Sequence, residues 1–381
     1  MYKPKNLQNI NSLEPSISTE VPASDVMLQM ISGFWVSRAI HTAAKLGIAD
    51  YLKEQPKTVE EIATSTDTHV PSLYRLLRAL ASVGIFAEDD NHRFGLTPLA
   101  ATLQTDVPGS MRFFAISQLG QEHYLSWDNL LHSIKTGEIA FDHIAGMSLY
   151  DHYLKNSEAS KLFNCGMTSL TASILEAIIC SYDFSAFNTI VDVGGGHGNL
   201  MTSILKAYPT VKGILFDVPT VIEEAKSYLQ AQGFADPSGD ARKLANAALT
   251  QSPAEGNPPA ALSHRCTVVS GNFFESVTVG GDAYLLKHII HNWDEEKAIA
   301  ILKNCHQAMS QHGKLLLFET IIPPGNAPSF GKLLDLNMLV MTDGHERTEE
   351  EYQVLLLHAG FQLTQVIPTP SLISVIEALK I

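Results

Sequence analysis

The sequence predicts an α/β protein whose second part forms a doubly wound, mainly parallel sheet, preceded by a mainly helical domain. Two observations lead to this fold class. From Thr189 onward, short apolar strands alternate with helical segments, as in parallel sheets that are covered by helices on both faces. Before that residue, the chain carries long helical patterns and few strand signals. With 381 residues, 45% of them hydrophobic, the chain can form two globular cores.

The helical part begins with a polar segment, residues 1–22, which we expect to be a flexible tail. A helical pattern then starts at Asp25 and ends at Leu46. Between Met27 and Trp35 its large apolar residues cover more than one face, which indicates burial on two sides. The pattern leaves two explanations open: a helix in the core of its own domain, or a helix that packs against a second copy of the chain.

Two further helices and a β-hairpin follow. Thr58 and Glu61 have the spacing of a capping box at the start of one helix, and the second runs from Val70 to Gly84. This outline is that of a winged helix, which often binds DNA. Residues 1–100, however, hold 9 Lys or Arg against 11 Asp or Glu, and the whole chain has a net charge of −14. We therefore expect a structural winged helix and no nucleic-acid partner.

Further helices extend this domain, so we predict its limits as residues 23–165 and those of the α/β domain as residues 166–381. Residues 226–264 are rich in Pro, Gly, Ala and Ser and interrupt the strand–helix alternation, which predicts an inserted loop. The four cysteines have no metal-binding spacing, and the sequence contains no secretory signal or membrane span. These features favour a cytoplasmic protein without a membrane partner.

A glycine-rich turn follows the first strand of the α/β domain. The strand ends near Asp192, and glycines follow at positions 194, 196 and 198. The dinucleotide fingerprint G-x-G-x-x-G would need glycine where the chain has Asn199. The pattern acid-x-G-x-G-x-G is instead typical of proteins that bind S-adenosylmethionine (SAM). Gly194 and Gly196 would let this ligand lie against bare backbone, and Asp192 would balance its methionine ammonium group.

Residues at the ends of the next two strands predict a nucleoside pocket. Asp217 ends the second strand, where a carboxylate can accept both ribose hydroxyls, and Val218 would pack on the adenine. Asn272 and Phe273 follow the third strand, where they would contact the amino group and the face of the adenine. The carboxyl ends of parallel strands meet at one sheet edge, so these residues should lie together.

A Lys-His-Ile-Ile-His-Asn-Trp segment follows the fourth strand and holds the candidate general base. His291 lies at the carboxyl end of that strand, and imidazole suits proton removal near neutral pH. Glu319 and Glu346 lie at comparable points further along, where a carboxylate would fix the imidazole tautomer. His288 and His291 are spaced H-x-x-H but lack further ligands in a recognisable motif, so no metal site is predicted.

These motifs resemble the plant caffeate and hydroxyindole O-methyltransferase family and its bacterial relatives. The resemblance covers roughly residues 24–381 and includes Val-Asp-Val-Gly-Gly-Gly, Phe-Asp-Val-Pro, Gly-Asn-Phe-Phe, Glu-Thr-Ile-Ile-Pro and Glu-Arg-Thr. It implies a winged-helix dimerisation domain joined to a Rossmann-like SAM methyltransferase domain. It also implies SAM as the cofactor, no metal, and a homodimer in which the first helices interlock and the partner lines part of the acceptor pocket.

The resemblance also implies roles for individual residues. His291 matches the general base, and Glu319 and Glu346 match the acids that flank it. The cofactor-binding residues expected on this basis are Phe163, Met167, Asp192, Gly194, Gly196, Asp217, Val218, Asn272, Phe273 and Lys287. The residues expected near the acceptor are Trp127, Asn292, Met338, Met341 and Thr342.

Two of these residues depart from the family pattern, because asparagine stands where the family usually has aspartate. For Asn272 this implies weaker binding of the adenine amine, and for Asn292 an altered charge near His291.

The function expected from these features is the transfer of a methyl group from SAM to a hydroxyl of a small aromatic or polyketide-like metabolite. One alternative is N- or C-methylation, or non-methylating chemistry such as hydroxylation or decarboxylation, on the same fold. A second is a transcriptional regulator that senses SAM. His291 with both glutamates favours O-methylation, and the acidic charge argues against a DNA-binding regulator.

Overall fold

The computed structural model describes residues 21–234 and 265–381, and its contacts divide the chain into two compact units, Met1–Gln104 and Thr105–Ile381. The predicted tail therefore lies almost entirely outside the described residues. The division differs from the boundary predicted after residue 165. The helices that precede this residue pack within the second unit, where Arg112–Gln118 lies along Ser157–Ser181. By their contacts, these helices group with the α/β part of the chain.

The first unit has the predicted order of helix, turn, helix and hairpin. Its elements are α1 (Ala23–Leu46), α2 (Ile48–Tyr51), β1 (Lys57–Thr58), α3 (Val59–Thr66), α4 (Val70–Ser82), β2 (Phe86–Glu88), β3 (Arg93–Leu96) and α5 (Pro98–Ala101). The three strands form an antiparallel sheet in the order β1-β3-β2. The predicted capping box is confirmed: the Glu61 amide donates to the Thr58 hydroxyl at 3.3 Å, and the Thr58 amide to the Glu61 carboxylate at 2.7 Å.

Helix α1 leaves a row of large apolar side chains uncovered. Only the last third of this helix contributes buried residues, namely His41, Ala43 and Ala44. Six side chains nearer its start are 51–71% exposed: Met27, Leu28, Met30, Ile31, Phe34 and Trp35. The described part of the chain therefore does not supply a core for the first half of α1.

The second unit is built on a seven-stranded sheet with the order β6-β5-β4-β7-β8-β10-β9. Its strands are β4 (Thr189–Val193), β5 (Lys212–Asp217), β6 (Cys266–Ser270), β7 (Ala283–Lys287), β8 (Lys314–Glu319), β9 (Phe361–Pro368) and β10 (Ser374–Lys380). Strands β4 to β8 run parallel, whereas β10 pairs antiparallel with both β8 and β9. The predicted doubly wound, mainly parallel sheet is confirmed.

Helices cover the sheet and extend before it. They are α6 (Arg112–Gln118), α7 (Gln121–Asp128), α8 (Leu130–Thr136), α9 (Ala140–Ala145), α10 (Leu149–Lys155), α11 (Ser157–Ser181), α12 (Asn199–Ala207), α13 (Pro219–Ala231), α14 (Glu295–Ala308), α15 (Phe330–Met341) and α16 (Glu349–His358), with a 3₁₀ turn at Ile290–Asn292. Among the described residues, no single helix is long and apolar enough to cross a membrane. By length and composition alone, one bent pair meets that criterion, Ser157–Thr171 with Ile174–Ser181.

The loop predicted at residues 226–264 begins later than expected. Helix α13 continues to Ala231, because Ala225 and Leu229 keep the helix packed on the core. Residues 226–231 are therefore helical, which corrects the predicted start. The remainder of the predicted loop, from residue 235 onward, lies outside the described residues.

The sheet brings the ends of several strands to one edge. Its two faces bury separate apolar clusters, with Ile190 in one and Val191 in the other, as alternating strand residues require. Strands β4 and β7 are neighbours, but the chain continues from β4 to β5 toward one edge of the sheet and from β7 to β8 toward the other edge. This is the topological switch point, where ligands of open α/β sheets usually bind.

Candidate active site

A cavity of about 360 Å³ opens at this sheet edge, and its walls come entirely from the second unit. It is lined by eleven of the residues predicted for the site: Phe163, Met167, Gly194, Gly196, Asp217, Lys287, His291, Asn292, Met338, Met341 and Thr342. The sheet edge supplies Gly194, Asp217 and Lys287, whereas α11 and α15 close the sides. The structure therefore brings most of the predicted residues to one cavity.

The glycine turn gives the cavity a bare backbone wall. Gly194 has φ +69°, and a side-chain carbon there would lie 2.6 Å from Cδ1 of Ile289. Gly196 has φ +60°, and nothing lies within 4 Å of the position that its Cβ would occupy. Its amide donates to the Asp217 carboxylate at 2.9 Å, and the Val218 amide donates to the other oxygen at 2.7 Å. The turn thus holds one carboxylate beside exposed peptide groups.

Asp192 does not line the cavity, which departs from its predicted place beside the ligand. It is 1% exposed, and a Cβ on Gly195 would lie 2.6 Å from its carboxyl group, so the carboxyl lies behind the turn. Burial raises its pKa to about 7, although the Lys287 ammonium group lowers it in part. Asp192 acts on the Lys287 ammonium group through its charge, and its contact with a ligand stays a prediction.

Three other predicted residues also lie outside the cavity lining. Asn272 is exposed, and its side-chain oxygen accepts the Phe274 amide at 3.0 Å, because the residues after β6 turn back on themselves. Val218 is 38% exposed. Phe273 lies behind the glycine turn, where its ring would contact a side chain placed on Gly194. The cavity walls do not include these three residues, so their adenine contacts stay a prediction.

Lys287 ends β7 with its ammonium group at the cavity wall. Its Nζ donates to Oγ1 of Thr171 at 3.1 Å, and both residues line the cavity. Burial lowers its pKa, whereas the carboxylates of Asp192 and Glu319 raise it. This lysine links the cavity to the buried acids around it.

His291 lies in the 3₁₀ turn after β7 and is 7% exposed. Its Nδ1 lies 2.6 Å from Oε1 of Glu346 and 3.8 Å from Oε2 of Glu319. A carboxylate can only accept, so Nδ1 carries the hydrogen. Burial lowers the pKa of His291, but Glu319 and Glu346 outweigh it and raise the pKa to about 9.

Glu319 ties this turn to the neighbouring strand. Its Oε1 accepts the amides of Ile289 at 3.1 Å and Ile290 at 2.9 Å, while its side chain is fully buried. Burial raises its pKa to about 7, and nearby His291 lowers it in part. Because these two amides immediately precede His291, the carboxylate fixes the backbone that carries the imidazole.

The segment that carries Glu346 packs tightly on the same turn. Arg347 is 1% exposed and donates to the carbonyls of Ile290 at 3.4 Å and Trp293 at 3.3 Å. At Gly344, a side-chain carbon would lie 1.9 Å from the carbonyl oxygen of His291. Only glycine allows this approach, so it sets how closely Glu346 and His291 meet.

Comparison with known proteins identifies the family. The O-methyltransferase domain family matches residues 127–249 and 252–362, and the O-methyltransferase dimerisation domain family matches residues 28–106. The chain belongs to this O-methyltransferase family. The SAM-dependent O-methyltransferase class and fold expected from the sequence are thereby confirmed.

Individual relatives cover nearly the whole O-methyltransferase. The chain is similar to phenazine O-methyltransferase of Lysobacter antibioticus, with 41% identity over 94% of this chain and 96% of that protein. It is also similar to mitomycin biosynthesis 6-O-methyltransferase of Streptomyces lavendulae, with 33% identity over 93% of each chain. The fold is also similar to the crystal structure of an O-methyltransferase from neocarzinostatin biosynthesis, in complex with SAM and 2-hydroxy-5-methyl naphthoic acid. The two structures align with a TM-score of 0.72 and 28% identity, over 91% of this chain and 96% of that one.

The cavity of the O-methyltransferase fits its cofactor, SAM. Because glycine has no Cβ, the space over Gly196 is open, and a ligand can lie there against the backbone. The Asp217 carboxylate at this wall can accept hydroxyl groups, and Phe163 and Met167 offer apolar surface for a base. These residues suit a nucleoside with an attached amino acid.

The opposite part of the cavity includes residues that the sequence did not reveal. Asn337 lies on the cavity wall and accepts the Trp127 indole N–H at 3.0 Å, so Trp127 supports the wall from behind. His123 also lines it, and burial lowers its pKa to about 4. Asn337 lies one helical turn before Met341 on α15, a spacing that would have predicted it. No sequence signal marked His123.

Replacing Gly344 with alanine tests the close approach of the two segments. The added methyl group must displace either Glu346 or His291, so we expect Gly344→Ala to lower the free energy of unfolding by about 1–3 kcal/mol. We also expect methyl transfer to fall at least about tenfold, since the pair loses its geometry. Thermal unfolding and turnover measure the two effects.

Asp343→Ala is the matched control. Asp343 is the adjacent residue, its side chain is exposed, and its surface ion pair with Lys297 contributes little stability. Wild-type turnover in Gly344→Ala would contradict the packing argument.

Proposed function

We propose that this O-methyltransferase methylates a hydroxyl group of a small aromatic or polyketide-like metabolite, with His291 as the general base. The observation that carries the proposal is the buried pair of His291 and Glu346 at the cavity wall. A second carboxylate, that of Glu319, lies 3.8 Å from the same nitrogen of His291. Nδ1 of His291 faces Glu346, which leaves Nε2 for the acceptor. Among the described residues, no hydrogen bond engages Nε2.

In this proposal the neutral form of His291, which predominates above its pKa of about 9, accepts the acceptor's hydroxyl proton at Nε2, while Nδ1–H stays hydrogen-bonded to Glu346. When bound, SAM supplies an electrophilic methyl group. The imidazolium that forms lies 2.6 Å from one carboxylate and 3.8 Å from the other, so both stabilise its charge. General-base assistance of this kind contributes about 10²–10⁴-fold to the rate.

For the cofactor, we propose that Asp217 accepts the ribose hydroxyls beside Gly194 and Gly196, with Phe163 and Met167 against the base. The support is the carboxylate that the Gly196 amide holds at the cavity wall. We do not assign a direct cofactor contact to Asp192, Val218 or Asn272. Asp192 would act through Lys287, whose pKa it raises against the lowering effect of burial.

For the acceptor, we propose that a planar ring lies between the apolar side chains of Met338 and Met341. Asn292, Asn337 and Thr342 add polar groups to the same wall. The relatives named above act in phenazine and mitomycin biosynthesis, and one binds a hydroxylated naphthoic acid. Fused aromatic rings such as those of a naphthoic acid suit a cavity wall that combines the apolar methionines with these polar groups.

Two alternatives remain as competing outcomes. N- or C-methylation, or non-methylating chemistry, would use the same cofactor cavity, but a histidine between two carboxylates favours removal of a hydroxyl proton. A SAM-sensing regulator would use α4, where Arg75 and Arg78 lie at the surface. The acidic balance of residues 1–100 argues against binding to nucleic acid.

We further propose a cytoplasmic homodimer in which α1 packs against α1 of the partner. The dimerisation domain family covers most of α1, and the uncovered row from Met27 to Trp35 would supply the apolar surface. The four cysteines are free thiols, which agrees with a reducing compartment. A contribution of the partner to the acceptor cavity is part of this proposal.

The assay for the proposed function is methyl transfer from labelled SAM to a panel of phenols, flavonoids, indoles and polyketide phenols. We expect label on a hydroxyl oxygen of one acceptor class. In His291→Ala, turnover should fall about 10²-fold or more, with SAM affinity by calorimetry nearly unchanged, because the imidazole acts on the acceptor and not on the cofactor.

His306→Ala is the matched control, since this histidine lies on α14 outside the cavity. Equal turnover in His291→Ala and the wild type would refute the assignment of the base. Label on a nitrogen or carbon, or SAM binding without transfer to any phenol, would favour the alternative chemistry.

The dimer is tested by placing a charge in the exposed row of α1. Met30→Asp puts a carboxylate at a side chain that is 71% exposed in a single chain, so the fold of each chain should survive. We expect light scattering to show the mass of two chains for the wild type and of one chain for the variant. An unchanged mass in Met30→Asp would place the interface elsewhere.

A further inference from the structure

Three polar side chains converge beside the cavity in an arrangement that general-base chemistry does not require. Nδ1 of His288 and Nδ1 of His291 each lie 3.8 Å from Oε2 of Glu319. Ligand atoms of all three residues lie within 4.8 Å of one another. Both ring nitrogens of His288 and this oxygen of Glu319 are buried and have no hydrogen-bond partner among the described residues. Buried polar atoms without a partner need an explanation, and a bound ion at the point where Nδ1 of His288 approaches Glu319 is one.

We propose that His288, His291 and Glu319 form a binding site for Zn²⁺, and that occupancy of this site inactivates the methyltransferase. An ion between the three ligand atoms would lie about 2.0–2.5 Å from each, close to the Zn–N and Zn–O distances of about 2.0–2.2 Å. Small side-chain movements would complete the coordination. The H-x-x-H spacing alone did not predict the site, because Glu319 is 28 residues or more away in the chain.

Glu346 lies beside the site and is not one of the three converging ligands. Its Oε1 lies 2.6 Å from Nδ1 of His291, and its Oε2 is buried without a partner among the described residues. The carboxylates of Glu319 and Glu346 would together balance the charge of a divalent ion. Imidazole and carboxylate are also ordinary ligands of zinc.

The charged groups around the proposed zinc site have opposite effects on the binding of a cation. Lys287, whose ammonium group lies near both histidines, opposes binding, whereas the two glutamates favour it. Burial and the charge of Lys287 both lower the pKa of His288 well below its ordinary value. Its backbone has φ +53°, an uncommon conformation for a non-glycine residue that is often found at functional sites.

Coordination of zinc would inactivate His291 as a base, because it would change which ring nitrogen carries the proton. In the neutral form of His291 that acts as the base, Nδ1 carries the hydrogen and Nε2 accepts the acceptor's proton. Zinc would take the place of the proton on Nδ1 of the neutral imidazole, and that proton would be carried on Nε2 instead, so none is released. A nitrogen that already carries a proton cannot accept another, so acceptor activation would stop. This consequence rests on the proposed role of His291, whereas zinc binding itself does not.

Calorimetric titration of the tag-free, full-length protein with ZnCl₂ tests the site. We expect one Zn²⁺ per chain and a loss of affinity of about tenfold or more in His288→Gln. The matched control is His132→Gln, which disrupts a surface cluster of His132, Glu138 and His143 that could also hold a metal. Wild-type affinity in His288→Gln, or loss of binding in His132→Gln alone, would overturn the proposal.

Two measurements on the wild-type protein keep the test independent of how the variants fold. Zinc-edge X-ray absorption should report two imidazole ligands and the rest oxygen, and fewer than two imidazoles would contradict the assignment. Zinc should also abolish methyl transfer while SAM affinity by calorimetry stays unchanged. If zinc binds with this ligand set but turnover is unaffected, the blocked-base consequence is wrong and the role of His291 must be reassigned.

Discussion

Two carboxylates buried against one imidazole are the constraint on which the rest of the site depends. Glu319 and Glu346 are 0% and 2% exposed, and His291 between them is 7% exposed. Burying charged groups is costly unless they pair, and the raised pKa of Glu319, about 7, reflects the cost that burial leaves. The cluster persists because the backbone amides of Ile289 and Ile290 fix one acid, while Arg347 fixes the segment that carries the other.

The sheet joins this cluster to the cofactor cavity. Strand β7 ends with Lys287 at the cavity and continues directly into the turn that carries His291, while neighbouring β4 leads into the glycine turn. The glycine turn and the imidazole of His291 are therefore both held by adjacent strands of one sheet. A site of this kind keeps its geometry without relying on long loops, which agrees with the functional demand for precise alignment of acceptor and methyl group.

The sequence predicted the features that follow from periodicity and from strand ends. Strand β4 was expected at Ile190–Val193 and lies at Thr189–Val193, because a nearly continuous apolar run identifies a strand buried on both faces. Asp217 and His291 reach the cavity because each directly follows or ends a parallel strand. Side-chain direction was less predictable. Asp192 points behind the turn, and Asn272 is captured by a local hydrogen bond to Phe274.

Features that depend on contacts between distant parts of the chain could not be predicted from the sequence. The contact between Gly344 and the backbone of His291 joins segments more than 50 residues apart, and no local pattern reveals it. The same holds for His123, and for the helices before residue 165 that pack within the second unit. His288 was recognised as one half of a histidine pair, but only the fold places Glu319 beside both rings.

The most direct test of this account is a pH titration of the His291 imidazole by NMR, in protein labelled with ¹⁵N-histidine and assigned by loss of the signal in His291→Gln. Because Glu319 and Glu346 hold the imidazolium, the account predicts a midpoint near pH 9 in the free enzyme, with Nδ1 protonated throughout. In Glu346→Gln, which removes one negative charge, the midpoint should fall toward the ordinary value. A wild-type midpoint near 6.5, the ordinary pKa of histidine, would contradict the account, since it would mean that the two carboxylates do not act on this imidazole.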